Sequence, residues 1–195
     1  MFGVELTDYD REVYAELSEF LPEKIFDAHA HVWKKEFERE DCDAKRGLVT
    51  WTELVARDCT IEDLRQSYRD LLPKNEVVPA IFAMPTVELK KANAYVAGCA
   101  EKYACPALYC TAWDTPAEEI DRALSAGFAG IKPYLSNSPA EIPPSEIRIF
   151  DFLPREHLEV LNRRRGVVML HIPRPGRLRD PVNLRELLEI EEDYP

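Results

Sequence analysis

Two histidines separated by one residue are the part of this sequence best suited to chemistry. His29 and His31 are two of only four histidines, and they lie near the end of a predicted strand from Lys24 to Val32. Side chains at positions i and i+2 of a strand share a face, so both Nε2 atoms can reach one metal ion at ~2.0–2.1 Å. Asp27 precedes them on the same face, and we expect it to be a structural carboxylate that orients a ligand histidine. The spacing therefore predicts a divalent-metal site.

Two further polar residues end predicted strands. His171 lies at the end of the apolar strand 167–172 and is predicted to be a third metal ligand. Lys132 follows apolar residues of the strand 129–135 and leaves three interpretations open. It binds an anionic substrate group, it is carboxylated and bridges two metal ions, or it extends to solvent without a role. The fourth histidine, His157, lies in a charged helical turn and is predicted to be a surface residue without a role.

Three more residues are candidate substrate contacts because they lie close to the predicted strand ends: Trp33, Tyr134 and Arg174. Two long segments interrupt the pattern of short connections, the polar segment 34–59 and the proline-rich segment 137–151. Segments of this length are often lids or specificity loops, and surface elaboration is an equally good interpretation of each.

The strands that carry these residues alternate with predicted helices. Near-continuous apolar runs typical of parallel strands lie at 24–32, 77–84, 107–113, 129–135 and 167–172. Helices are predicted to start after Thr60, within 87–103, at a capping box formed by residues 115–118, at Pro154 and at Asp180-Pro181. Gly127 fits the position that follows a helix end, and Gly166 is predicted to end the next helix. In the last helix we expect Leu184, Leu187 and Leu188 to face inward.

Alternating strands and helices predict an α/β fold with a parallel sheet. No glycine-rich phosphate loop follows a strand, which disfavours a nucleotide-binding doubly wound sheet. Polar residues at the ends of several strands favour a (β/α)8 TIM-type barrel, whose active site gathers there. Only about five βα units are recognisable, so residues 1–195 are expected to form a single, C-terminally incomplete barrel domain. A second copy or a partner that closes the barrel is expected, since open sheet edges aggregate.

Composition excludes several other classes of protein. The net charge of −11 argues against nucleic-acid binding, which needs basic surface. No apolar run is long enough to cross a membrane, and the acidic N-terminus has no secretory-signal pattern. Five cysteines without a CxxC pair predict reduced thiols in a cytoplasmic protein, with Cys99 and Cys110 as small core residues. The expected ligand is a small-molecule substrate.

These motifs resemble those of one enzyme family. Residues 26–31 (FDAHAH) resemble the first-strand HxH signature of the amidohydrolase superfamily, and residues 168–171 (VMLH) resemble its fifth-strand metal ligand. The strand containing Gly130-Ile131-Lys132, followed by a proline-rich loop, resembles the amidohydrolase-related subgroup, also called amidohydrolase 2. The resemblance implies zinc or a similar metal bound by His29, His31 and His171. It also implies a sixth-strand histidine in many members and an eighth-strand catalytic aspartate, both expected beyond this sequence, so the catalytic residue is unknown.

The expected function is that of a metal-dependent hydrolase that cleaves a C–N or C–O bond of a small organic molecule. Two alternatives stay open at this point. One is a non-oxidative decarboxylase of the same family, because an unmodified Lys132 that pairs with a substrate carboxylate suits both reactions. The other is a non-catalytic partial barrel that binds a metal ion or a partner.

Overall fold

Strands and helices alternate along the chain, as the sequence predicts. The structure is a computed structural model that describes residues 5–39 and 56–195. The strands are β1 (Lys24–His31), β2 (Glu76–Phe82), β3 (Leu108–Thr111), β4 (Gly130–Pro133) and β5 (Val167–Val168). The helices are α1 (Asp8–Phe20), α2 (Ile61–Leu71), α3 (Leu89–Tyr103), α4 (Ala117–Ser125), α5 (Arg155–Arg164) and α6 (Pro181–Asp193). Among the described residues, none of these helices is long and apolar enough to cross a membrane.

All strand pairs in the described residues are parallel, which makes this an α/β fold. β1 pairs with β2, and a separate three-stranded sheet has the order β3-β4-β5. Residue contacts divide the chain into two compact units, whose described parts are 5–39 with 56–106 and 107–195. Parallel strands linked by helices are compatible with part of a barrel. The closed (β/α)8 barrel, the single domain and the partner that closes it stay predictions.

Helix α2 of the first unit begins where the sequence predicts. The Thr60 hydroxyl accepts a hydrogen bond from the Asp63 backbone N–H at 3.2 Å, and the Asp63 carboxylate accepts one from the Thr60 backbone at 3.0 Å. This reciprocal pair satisfies two backbone donors that the first helical turn leaves free. The helix then buries Ile61 in the unit, which also buries Val32, Ile81 and Phe82 completely or nearly so.

The second unit is built on one apolar cluster. Its fully or almost fully buried members come from α4, β4, the segment before α5 and α5 itself: Ile120, Ile131, Ile149, Leu153, Leu158, Val160 and Leu161. Helix α4 is followed by Gly127, whose φ of 110° only glycine adopts without strain. The Gly127 and Phe128 N–H groups donate to Leu124 and Ala123, which confirms the predicted helix end. The predicted capping box is wrong, because the Thr115 hydroxyl instead accepts from the Ala112 N–H.

Helix α6 begins at the predicted Asp180-Pro181 but turns an unexpected face inward. Leu184 and Leu188, predicted to be buried, are 49% and 56% exposed. The fully buried positions are Asn183 and Glu186. The Glu186 carboxylate accepts a hydrogen bond from the Ile149 N–H at 2.9 Å, and the Asn183 amide donates to two loop carbonyls at 2.7 and 2.9 Å. Unpaired loop backbone groups are costly to bury, which favours polar partners at these two positions.

The helix before β5 also ends one residue earlier than predicted. Arg165, with a φ of 55°, is the left-handed residue that ends the helix, and Gly166, which was predicted to end it, follows. The Gly166 N–H then donates to the Leu161 carbonyl at 2.9 Å. Strand β5 is short, because only Val167 and Val168 of the predicted strand 167–172 pair as a strand. The Met169 N–H donates one more hydrogen bond to the Ile131 carbonyl at 3.0 Å. His171 therefore lies beyond the strand and not within it.

Gly130 allows β4 and β5 to approach each other closely. A Cβ atom at position 130 would lie 1.8 Å from the Val167 carbonyl oxygen, far inside van der Waals contact. Because the obstacle is backbone, no side-chain rotation relieves it. The glycine is therefore required by the packing of the strand that carries Lys132.

We predict that Gly130→Ala lowers the free energy of unfolding by at least about 2 kcal/mol, because the added methyl group must push the two strands apart. Gly98 is the matched control: it lies in α3, and a Cβ atom at this position would have no other atom within 4 Å. Gly98→Ala should instead stabilise by roughly 0.5–1 kcal/mol through helix propensity. Urea denaturation measures both, and a Gly130→Ala variant as stable as the wild type would contradict the packing argument.

Candidate metal and substrate site

The two histidines of β1 converge on one point. Their Nε2 atoms are 3.2 Å apart. Two nitrogen ligands at ~2.0–2.1 Å from one tetrahedral metal ion are about 3.3–3.4 Å apart, so the pair has nearly the separation that zinc imposes. Both rings pack edge-on against the buried Phe82, with centroid distances of 5.0 Å for His29 and 4.6 Å for His31. The apolar ring restricts how far either imidazole can turn.

A backbone carbonyl determines the tautomer of His31. The Nδ1 atom lies 3.2 Å from the Ala83 carbonyl oxygen, just beyond the end of β2. A carbonyl only accepts, so Nδ1 carries the hydrogen and donates. In the neutral ring Nε2 then carries a lone pair, and this atom lies 3.2 Å from His29 Nε2. Metal-binding histidines commonly have this arrangement, in which an outer acceptor orients the ring and increases its basicity.

Asp27 positions His29 through the backbone. Its carboxylate accepts a hydrogen bond from the His29 N–H at 3.0 Å and another from the Tyr68 hydroxyl at 2.7 Å. Burial and the nearby Asp27 raise the pKa of Tyr68, so this hydroxyl stays a donor. The carboxylate is therefore a structural anchor, as the sequence predicts, although it holds the main chain and not the imidazole.

A β-bulge interrupts β1 between Asp27 and Ala30, a stretch that includes His29. Asp27 is opposite Pro79 of β2, whereas Ala30 is opposite Ile81, so β1 has one more residue than β2 over this stretch. Strict alternation from Asp27 onward, on which the sequence analysis relied, is therefore wrong here. Pro79 is the signal that was missed: proline has no N–H for a ladder hydrogen bond and within sheets often accompanies a bulge.

Trp33 follows the histidine strand and pairs with a different segment. Its backbone forms an antiparallel bridge with Cys59, with both N–O distances at 2.9 Å. The indole Nε1 atom is buried and has no hydrogen-bond partner among the described residues. Burial raises the pKa of the Cys59 thiol to about 12, so this cysteine is protonated and unreactive. The rest of the long polar segment, residues 40–55, lies outside the described residues.

The predicted metal ligands divide between the two units. His29 and His31 belong to the first unit and His171 to the second. Within residues 5–39 and 56–195, no group of three or more His, Cys, Asp or Glu side chains has the arrangement of a metal site. Metal binding by His29, His31 and His171 therefore stays a prediction.

In the second unit, the predicted site residues Lys132 and His171 both lie beside the ring of a third, Tyr134. The Tyr134 ring centroid is 5.4 Å from the Lys132 ammonium nitrogen and 5.5 Å from the His171 ring centroid. Lys132 and Tyr134 are 1% and 3% exposed. Burial lowers the pKa of Lys132 from 10.5 to about 8, and burial with the adjacent Cys110 thiol raises the pKa of Tyr134. At neutral pH the pair therefore offers an ammonium group and a phenol hydroxyl.

Arg174, a predicted substrate contact, makes two contacts within the second unit. Its guanidinium donates to the Asp180 carboxylate at 3.0 Å and to the Glu146 carbonyl at 3.2 Å. Its backbone has a φ of 58°, which is uncommon for a residue other than glycine. Arg174 therefore connects the loop after His171 to the proline-rich segment 137–151. Its contact with a substrate stays a prediction.

The prediction that His157 is a surface residue is wrong. The side chain is completely buried, and its Nε2–H donates to the Thr115 carbonyl at 2.7 Å. Burial lowers the pKa of His157, so the ring is neutral in the folded protein. The missed signal is helical spacing: His157 lies four residues before the buried Leu161 and so on the inner face of α5. Its role is to join α5 to the turn before α4.

Comparisons with known proteins bear on the fold. No protein-family model matches the chain, and no curated protein matches it. Among solved structures, the chain is similar to a probable 2-pyrone-4,6-dicarboxylic acid hydrolase from Acinetobacter baumannii, crystallised with citric acid bound. The TM-score is 0.55 at 17% sequence identity, over 87% of this chain and 54% of that chain. At this identity the likeness shows a shared fold, and this chain spans about half the length of that neighbour.

The burial of Lys132 yields a prediction about stability. A fall in pKa from 10.5 in the unfolded chain to about 8 in the folded one corresponds to roughly 3 kcal/mol against folding while both states are protonated. We expect Lys132→Met to raise the free energy of unfolding at pH 7 by up to about that amount. The difference in free energy of unfolding between Lys132→Met and the wild type should shrink from pH 8 upward, because Lys132 of the folded wild type loses its proton there. The difference should vanish near pH 10.5.

Urea denaturation of both proteins across this pH range measures the effect. Lys90→Met, at an exposed position of α3, is the control and should track the wild type at every pH. A constant difference between Lys132→Met and the wild type from pH 7 to the unfolded-state pKa would show that burial of the ammonium group does not cause the change.

Proposed function

We propose that this chain provides the first metal ligands of a metal-dependent hydrolase that cleaves a C–O or C–N bond in a small organic molecule. The observation that carries the proposal is the histidine pair of β1. Two Nε2 atoms lie 3.2 Å apart, and the His31 ring is oriented by the Ala83 carbonyl through Nδ1. Ordinary surface histidines do not need a fixed tautomer or a shared aromatic support.

His29 and His31 would hold a divalent metal ion, and we propose zinc because imidazole nitrogen suits it well. Such an ion acts as a Lewis acid and generates a nucleophile from water at neutral pH. His31 would contribute the Nε2 lone pair, since the hydrogen bond to the Ala83 carbonyl places the ring hydrogen of the neutral imidazole on Nδ1. Phe82 excludes water from one side of both rings, which strengthens electrostatic interactions at the pair.

Lys132 would bind an anionic group of the substrate. Its ammonium group lies over the Tyr134 ring, and the negative face of an aromatic ring attracts a cation. A carboxylated lysine would place a negative charge there, which disfavours the two-metal alternative. Exposure of only 1% disfavours a side chain that extends to solvent. With a pKa of about 8, roughly nine-tenths of Lys132 is charged at pH 7.

The solved neighbour supports a carboxylated substrate. Its name describes a hydrolase of a dicarboxylic acid, and it was crystallised with citric acid. We extend this to the present chain as a substrate class: a small ester, lactone or amide that carries a carboxylate. Because the comparison favours hydrolysis, we place the decarboxylase second and the non-catalytic partial barrel third.

We predict that zinc binds at the pair and shifts its nitrogen resonances. With four histidines in the chain, a long-range proton–nitrogen NMR spectrum resolves each imidazole. Zinc should move the Nε2 signals of His29 and His31 and leave those of His157 unchanged. Replacing both ligands by alanine should lower zinc affinity at least about a hundredfold, since even loss of an outer hydrogen bond costs 10–100-fold.

The response of His171 tests the third ligand separately. A shift of its ring signals on zinc addition, together with weaker binding in His171→Ala, would support the three-histidine set. Unchanged His29 and His31 signals at saturating zinc, or equal affinity in the double alanine variant, would contradict the metal site.

We predict that hydrolytic activity requires the metal ion and that the reaction releases protons but no CO₂. The zinc-loaded chain should open a carboxylated lactone, which pH-stat titration detects as proton release, and a chelator should abolish it. A matched neutral lactone should react more slowly, because it lacks the group that Lys132 binds. Release of CO₂ from a carboxylated aromatic acid would favour the decarboxylase, and zinc binding without turnover of either compound would favour the non-catalytic alternative.

A further inference from the structure

One side chain of helix α2 contacts the strand that carries the histidine pair. The Tyr68 hydroxyl donates a hydrogen bond to Asp27 Oδ2 at 2.7 Å, although the two residues are 41 positions apart in the chain. The other oxygen of the same carboxylate, Oδ1, accepts from the His29 N–H at 3.0 Å. A single carboxylate therefore joins helix α2 to the main chain of His29.

The contact with His29 lies at the point where β1 leaves the ladder of the sheet. Asp27 is the last residue of β1 to pair with β2 before the bulge, and Ala30 is the first to pair after it. His29 lies between them and has no register partner in β2. Because a bulge leaves its extra residue outside the ladder, side-chain hydrogen bonds have a larger part in fixing the backbone there.

The two histidines are held at different atoms. His31 is oriented through its ring, because Nδ1 donates to the Ala83 carbonyl at 3.2 Å. The contact that Asp27 makes with His29 acts on the main chain instead. A change in the backbone angles at the bulge would move the Cβ atom of His29, and its Nε2 with it, while His31 keeps its ring contact. The distance of 3.2 Å between the two Nε2 atoms therefore depends on what holds the bulge.

Helix α2, which carries Tyr68, is itself anchored within the first unit. Its capping box closes the first turn, and the Ile61 N–H donates to the Tyr95 hydroxyl of α3 at 3.2 Å. Ile61 is 1% exposed, and Ser67, the residue before Tyr68, is also buried. The phenol ring of Tyr68 therefore extends to β1 from a backbone that is held both at its first turn and next to the tyrosine.

We propose that Tyr68 is a positioning residue for His29. Through Asp27, its hydroxyl holds the bulge of β1 in the conformation in which the Nε2 atoms of His29 and His31 converge. The consequence for a bound metal ion rests on the proposed function. The consequence for the imidazole geometry does not, because it applies equally to the metal-free chain.

NMR of the metal-free chain tests this positioning role. We expect Tyr68→Phe to shift the His29 amide signal and to average the three-bond couplings that report the χ1 angle of His29, while the couplings of His31 stay unchanged. Tyr103→Phe is the matched control. It also removes a phenol hydroxyl of the first unit that donates to a carboxylate, that of Glu62 at 2.6 Å, but this pair does not include a residue of β1. The control should leave both histidines as they are in the wild type.

A double-mutant cycle tests whether Tyr68 acts through Asp27. Asp27→Ala should release His29 by itself, and adding Tyr68→Phe should then change the His29 couplings no further. Asp27→Asn should preserve the couplings, because an amide oxygen still accepts from the His29 N–H and the amide nitrogen can donate to the phenol oxygen. Wild-type couplings of His29 in Tyr68→Phe, or an equal effect of Tyr68→Phe with and without the Asp27 carboxylate, would overturn the proposal.

Zinc affinity separates this inference from the proposed function. Loss of a group that orients a metal ligand commonly costs roughly 10–100-fold in affinity. Tyr68 lies one contact further from the ligand, so we expect Tyr68→Phe to weaken zinc binding about three- to tenfold and Tyr103→Phe to match the wild type. Equal zinc affinity in Tyr68→Phe and the wild type would overturn the positioning role at the metal. A wild type that binds no zinc would contradict the proposed function, and the metal-free couplings would still decide the role of Tyr68.

Discussion

The parallel register of β1 against β2 is the constraint on which the histidine pair depends. His31 is opposite Phe82, so the imidazole meets both the Phe82 ring and the Ala83 carbonyl that follows it. Successive strand residues face opposite sides, and a slip by one residue would turn the histidines away from these partners. The chemistry expected of two side chains is therefore determined by hydrogen bonds between two backbones.

The bulge opposite Pro79 explains how that register is compatible with the anchored Asp27. The extra residue in β1 gives the Asp27 carboxylate access to the His29 N–H while His29 and His31 still converge. The i, i+2 spacing of His29 and His31 made their convergence predictable. The bulge was not, because apolar periodicity reports which residues are buried and says nothing about where a ladder hydrogen bond is missing.

In the second unit, too, the hydrophobic pattern of the sequence predicts some features and misses others. The apolar run around Lys132 predicts a strand, which the structure has, but it left open whether the Lys132 side chain is buried, as the structure shows it to be. Hydrophobicity also predicts that Leu184 and Leu188 of α6 face inward, and there the prediction is wrong. Asn183 and Glu186 occupy the interior because loop carbonyl and N–H groups need partners, and those groups belong to distant parts of the sequence. A single sequence carries no local signal for such a demand.

The hydrogen bond from His31 to Ala83 has a consequence for how this protein can change over generations. Its acceptor is a main-chain oxygen, which every amino acid at position 83 supplies. A substitution there that leaves the backbone in place keeps this acceptor, whereas an aspartate or glutamate in the same role would be lost through one codon change. The hydrogen bond that orients the His31 ring thus does not depend on which side chain residue 83 carries. Neighbouring side chains can therefore change, and substrate selection with them, without loss of this acceptor.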